Sequence, residues 1–111
     1  MGRRWVRQPN GKIMVISTIV DAPIYSDAEE DDIMYILERE GSTATVEEIK
    51  SYIKPFDYDT FVTLYIGVMN GNGTKDKMVT FLKDIGAGEY VDEFVKIIDD
   101  YEEEKIRMLT D

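Results

Sequence analysis

Cysteine and histidine are both missing from the 111 residues. Without cysteine there is no disulfide, no thiolate metal site and no thiol nucleophile. Without histidine the commonest general base and zinc ligand are gone, and a serine–histidine–aspartate triad cannot be assembled. Acid–base chemistry would fall to carboxylates or lysine alone. No run of about 18 apolar residues occurs, so no membrane span is expected. The opening Met1-Gly2-Arg3-Arg4-Trp5 is basic, but the apolar stretch 13–20 follows a turn and contains Ser17 and Thr18, a poor match to a signal peptide. Val6 stands where a myristoylation motif wants Ser or Thr. A cytoplasmic protein that binds rather than catalyses, with no cofactor and no metal, is the expectation.

Hydrophobic residues make up 43% and charged residues 32%, a globular rather than a disordered composition. A chain of this length suits one domain, 1–111, that buries roughly 65% of its unfolded surface. Net charge is −10, unevenly placed. The first twelve residues hold Arg3, Arg4, Arg7 and Lys12 with no acid, whereas the remainder holds 9 basic and 23 acidic residues, a charge of −14. Such a body repels nucleic acid and anionic membrane. The basic arm either lies against its own acids or a neighbouring subunit, or forms a local anion site.

Two strand-like runs flank Asn10-Gly11, a strong hairpin signal that suggests a type I′ turn. The second run reads as continuing from Ile13 to Val20, with Ile13, Val15 and Ile19 on one face and Met14, Ile16 and Val20 on the other. Both faces are apolar and need cover. Residues 22–25 look like no more than an edge piece, and residues 61–66 have strand-like composition, so a second copy pairing through the hairpin is expected. Helices follow. Ser26-Asp27-Ala28-Glu29 and Thr45-Val46-Glu47-Glu48 both fit capping boxes. Ile33, Met34, Ile36 and Leu37 form the first stripe, with Gly41 at its C′ position; Ile49, Tyr52 and Ile53 form the second, which ends before Pro55. Asp57 could cap a third helix carrying Phe61, Leu64, Tyr65, Val68 and Met69, leaving 57–70 open between helix and strand. Thr74 caps a fourth with Met78, Phe81, Leu82 and Ile85 inward, and a last helix runs from about Glu89 to Met108. The fold class is α+β: an N-terminal antiparallel hairpin or small sheet, then four to five helices.

Few clusters suggest chemistry. Asn70-Gly71-Asn72-Gly73-Thr74 lacks the Gly-Lys-Ser/Thr ending of a P-loop and reads as a turn. Asp99, Asp100, Glu102, Glu103 and Glu104 point in different directions on a helix and cannot close one metal cage. Arg3, Trp5 and Arg7 share a strand face, and arginine beside an indole suits a phosphorylated, base-bearing ligand. Trp5 as a plain core residue is the competing reading. Ser17, Thr18 and Asp21 add polar groups that need partners.

Trp5-Val6-Arg7-Gln8-Pro9-Asn10-Gly11, then Ser17-Thr18-Ile19-Val20-Asp21, then Pro55-Phe56-Asp57, resembles a recurring type of small phage-encoded protein, the first type of Thoeris anti-defence protein. The resemblance covers roughly the first 60 residues. It implies a symmetric homo-oligomer in the host cytoplasm that captures a cyclic ADP-ribose-type immune signal between subunits without degrading it. On that reading Trp5 or Phe56 stacks on the base, and Arg3, Arg4 and Arg7 hold phosphates. Gln8, Asn10, Ser17, Thr18 and Asp21 bond ribose or base. The rival expectation is an acidic, anti-CRISPR-like inhibitor that binds a basic protein through the 99–104 face. A carboxylate-held metal phosphodiesterase ranks behind both, for want of a visible ligand set.

Overall fold

The structure, a computed structural model, describes residues 2–110 and has the expected α+β architecture. Four strands, β1 (Arg3–Arg7), β2 (Ile13–Ser17), β3 (Ala22–Ala28) and β4 (Lys54–Pro55), form one sheet in the order β3-β2-β1-β4. The β1–β2 and β2–β3 pairs are antiparallel, and β4 runs parallel to β1. Five helices complete it: α1 (Ile33–Arg39), α2 (Val46–Tyr52), α3 (Tyr58–Met69), α4 (Lys75–Asp84) and α5 (Val91–Thr110).

The sheet is the middle layer of three. Trp5, Ile13 and Val15 pack with Ala28 against Ile33, Ile36 and Leu37 of α1 and Ile49 of α2. Val6, Met14 and Ile16 pack against Phe61 and Leu64 of α3, Met78 and Leu82 of α4, and Phe94 and Ile98 of α5. Ile13, Met14, Val15 and Ile16 are each 0% exposed, so one copy of the chain covers both faces of the hairpin. This removes the packing reason for expecting a second copy there. Each of these side chains contributes roughly 1.5–3 kcal/mol of burial, and β2 is apolar from Ile13 to Ile16 because both of its sides are core.

Four local expectations are corrected. The hairpin does not turn through type I′: Gly11 N–H donates to Gln8 O (2.9 Å), Gly11 has φ +89° and Asn10 is not among the positive-φ residues. Pro9 presets a type I turn, Gly11 takes the left-handed step, and the loop is three residues long. β2 stops at Ser17, and Ile19 and Val20 are exposed at the turn into β3. Residues 22–25 belong to a seven-residue edge strand, whose register shifts against β2 include the positive-φ Asp27 (+56°). Bulges of this kind twist and blunt an edge. Ser26 is therefore in strand rather than a cap. The capping box forms three residues later, with Glu29 N–H donating to Asp32 Oδ2 at 2.8 Å.

Residues 61–66 are helix, not a third strand. Asp57 initiates α3 by accepting from Thr60 N–H (2.9 Å), and β-branched residues are tolerated because Phe61 and Leu64 anchor the helix in the core. Thr45 and Thr74 cap α2 and α4 as the sequence indicates. The helix after Gly88 begins as a short 3-10 turn and becomes α5 at Val91.

Candidate functional site

A cleft of about 670 Å³ opens beside β1 between the sheet and the α1–α2 connection. Trp5, Val15, Leu37 and Ile49 line its apolar part, residues 40–44 form one wall, and Arg3, Arg4, Tyr52 and Lys54 complete it. Gly41, with φ +66°, makes the wall possible: it ends α1 in the left-handed conformation, and Ser42 N–H returns to Leu37 O (3.0 Å). Tyr52 was expected inward but is 63% exposed, its ring available to the cleft. Trp5 is only 8% exposed and packs chiefly as core.

A second cleft of about 280 Å³ lies against α3, lined by Arg4, Val6, Lys54, Asp57, Asp59, Thr60, Val62 and Thr63. Arg4 and Lys54 border both clefts. Arg4 donates to Thr63 Oγ1 (3.1 Å), and neither cation has an ion pair among the described residues. The Thr60 main-chain N–H, with its hydroxyl, holds the Asp57 carboxyl below the usual carboxylate range, and Arg4 adds to the effect. The cap is therefore fully effective above the unfolded value near 3.8 and fades as pH falls through the lower folded value. Asp57→Ala should lower stability by about 1 kcal/mol at pH 7. The difference between the denaturation curves of variant and parent should shrink as the pH falls below 3.8.

Of the ten residues read as ligand contacts, Arg3, Arg4 and Trp5 come together in the cleft. The rest do not. Arg3 itself is held by Glu40 (3.0 Å) at the end of α1. Arg7 reaches Glu30 (3.3 Å) and Gly11 O (2.9 Å) at the other end of the hairpin, and Lys12 pairs with Glu29 (3.1 Å). Much of the basic arm thus lies against the chain's own acids, in exposed pairs of roughly 0–1 kcal/mol each.

Gln8 is a structural residue. It is 1% exposed; its amide accepts from Asp27 N–H (2.8 Å) and donates to Asp27 Oδ1 and Asn10 Oδ1 (both 2.9 Å). Asn10 fastens the turn to the end of α4, its N–H donating to Ile85 O (3.1 Å) and its side chain to Asp84 O (3.3 Å). Ser17 is buried and accepts from Ile19 N–H (3.3 Å), whereas Thr18 is exposed. Asp21 adopts φ +52° in the β2–β3 turn, with its carbonyl seated on Gly67 of α3. Phe56 packs against Tyr90 on the opposite side of the sheet, ring centres 5.4 Å apart.

Lys54, Tyr52 and the 41–44 wall are not among the residues that the sequence pointed to as ligand contacts. Lys54 joins the site only because two residues pair in parallel with Val6 and Arg7, a contact with no local signature. In the acidic 99–104 segment, Asp99 is engaged by Lys75 (2.8 Å) and Asp100 by Lys96 (3.0 Å). No cluster of three or more carboxylates is placed to hold a metal ion among the described residues, and no helix there is long and apolar enough to cross a membrane. Comparison with family models, curated proteins and solved structures finds no match.

Proposed function

We propose that this protein binds, without turnover, a small phosphorylated ligand carrying a flat ring, and acts by withdrawing it from solution. One observation carries the reading: the cleft beside β1 unites Arg3, Arg4 and Lys54 with the Tyr52 ring over an apolar floor that includes Trp5. A volume of about 670 Å³ is nucleotide-sized. Phosphate would sit at Arg4 and Lys54, which form no ion pair among the described residues, Arg4 feeling Asp57 only at longer range. The ring would lie towards Tyr52, since Trp5 is already packed. A cyclic ADP-ribose-type signal is the ligand suggested by the resemblance of the first 60 residues, and phage counter-defence is the role. A homo-oligomer, on this proposal, would close the open side of the cleft rather than shield the hairpin.

Thermal-shift measurements with cyclic nucleotides, ADP-ribose isomers and pyrophosphate test it. At a ligand concentration of 100 Kd, the stabilisation should be about 2.7 kcal/mol, or roughly 10 °C. Heat denaturation should return the ligand intact. Arg4→Glu and Lys54→Glu should each weaken binding by about tenfold or more while leaving the fold in place, because both side chains are on the rim. An unchanged midpoint with every compound would end the proposal.

A further inference from the structure

We propose that the free edge of β1 at Arg3–Trp5 pairs with an extended acidic peptide from a partner protein. This goes beyond the small-ligand reading and does not depend on it. β1 is five residues long, but β4 opposes only Val6 and Arg7. No strand among the described residues stands beside Arg3, Arg4 or Trp5 on that side.

Register identifies the main-chain groups that face this edge. Phe56 N–H donates to Arg7 O (3.0 Å), so Arg7 points its main chain towards β4. Alternate residues of a strand point the same way, so Trp5 and Arg3 do too. Gly2, offset by one, bonds in the opposite direction: its carbonyl accepts from Thr18 N–H (2.8 Å), on the β2 side. Arg3 therefore offers its N–H and C=O to an incoming strand, with the clefts described above on either side to receive alternate side chains.

Charge selects the occupant. Arg4 and Lys54 flank this edge without an ion pair among the described residues, Arg3 being held by Glu40 and the acids Asp57 and Asp59 lying in the cleft on the α3 side. A second copy presenting the same edge would set like charges opposite each other, which disfavours the pairing. A strand with carboxylates at alternate positions would meet Arg4 and Lys54 directly.

The test is fluorescence anisotropy with a labelled heptapeptide of alternating valine and glutamate. Controls are its valine–lysine counterpart and a version N-methylated at alternate amides. The acidic peptide should bind and weaken as salt rises, the lysine peptide should not bind, and N-methylation should reduce affinity by about tenfold, as expected for lost main-chain hydrogen bonds. Arg3→Ala and Arg3→Pro separate side chain from main chain. Proline at the first strand position removes the outward N–H as well as the guanidinium that alanine removes, so it should weaken binding well beyond alanine, with circular dichroism checking that both variants keep the parent fold. Equal affinity of those two variants, indifference to N-methylation, or no binding of the acidic peptide would each overturn the proposal, leaving the cations as guards against aggregation. A dimer seen by light scattering and lost in Arg3→Pro would overturn it in favour of self-pairing. Failure of pyrophosphate to bind would count only against the small-ligand function.

Discussion

Gly67→Ala should lower stability by about 3 kcal/mol and the melting temperature by roughly 10–20 °C. In an exposed helix the same change would stabilise by about 1 kcal/mol, since alanine outranks glycine in helix propensity. Here the sign reverses. A Cβ on Gly67 would overlap the main-chain carbonyl of Asp21, backbone that cannot swing aside as a long side chain could. Asp21 is itself held at φ +52° in a tight turn. Either α3 or the β2–β3 turn must move, and α3 carries Phe61 and Leu64 into the core. Urea titration of parent and variant measures the difference. A variant as stable as the parent would mean that the turn does not rest on α3.

Gln8→Leu should cost about 2 kcal/mol, through the lost hydrogen bonds of a buried amide rather than lost volume. Leucine nearly fills the space but leaves Asp27 N–H, Asp27 Oδ1 and Asn10 Oδ1 without the amide that joins them. Three segments loosen together: the hairpin turn, the bulge of β3 and, through Asn10, the end of α4. A ligand contact would behave otherwise, weakening binding with the midpoint unchanged. The folded variant should bind pyrophosphate like the parent, because Gln8 does not line either cleft beside β1.

The hairpin and its two apolar faces were legible because two strand-like runs flank Asn10-Gly11 and residues 13–16 are apolar throughout. What covers them was not. The helices divide between the two faces, a partition set by long-range packing, and this is why a second copy looked necessary. Residues 61–66 misled through their β-branched content; the cap at Asp57 and burial of Phe61 decide for helix. Arg3 and Arg7 do share a face, but four strand positions separate them by about 13 Å. They end at opposite ends of α1, on Glu40 and Glu30 respectively. Proximity in sequence therefore suggested one clamp where the fold makes two ion pairs. The Gln-Pro-Asn-Gly segment, read as both turn and ligand contact, forms the turn, with Gln8 and Asn10 bonded to Asp27 and the end of α4 and away from the clefts beside β1.

The most direct measurement is an NMR titration of the isotopically labelled protein with an ADP-ribose isomer, followed at the single indole N–H, that of Trp5. If the cleft beside β1 is the binding site, that resonance should shift saturably together with the amides of residues 3–5, 41–44 and 52–54. Saturable shifts confined to the Asn10 turn or α5, with the indole unmoved, would contradict it.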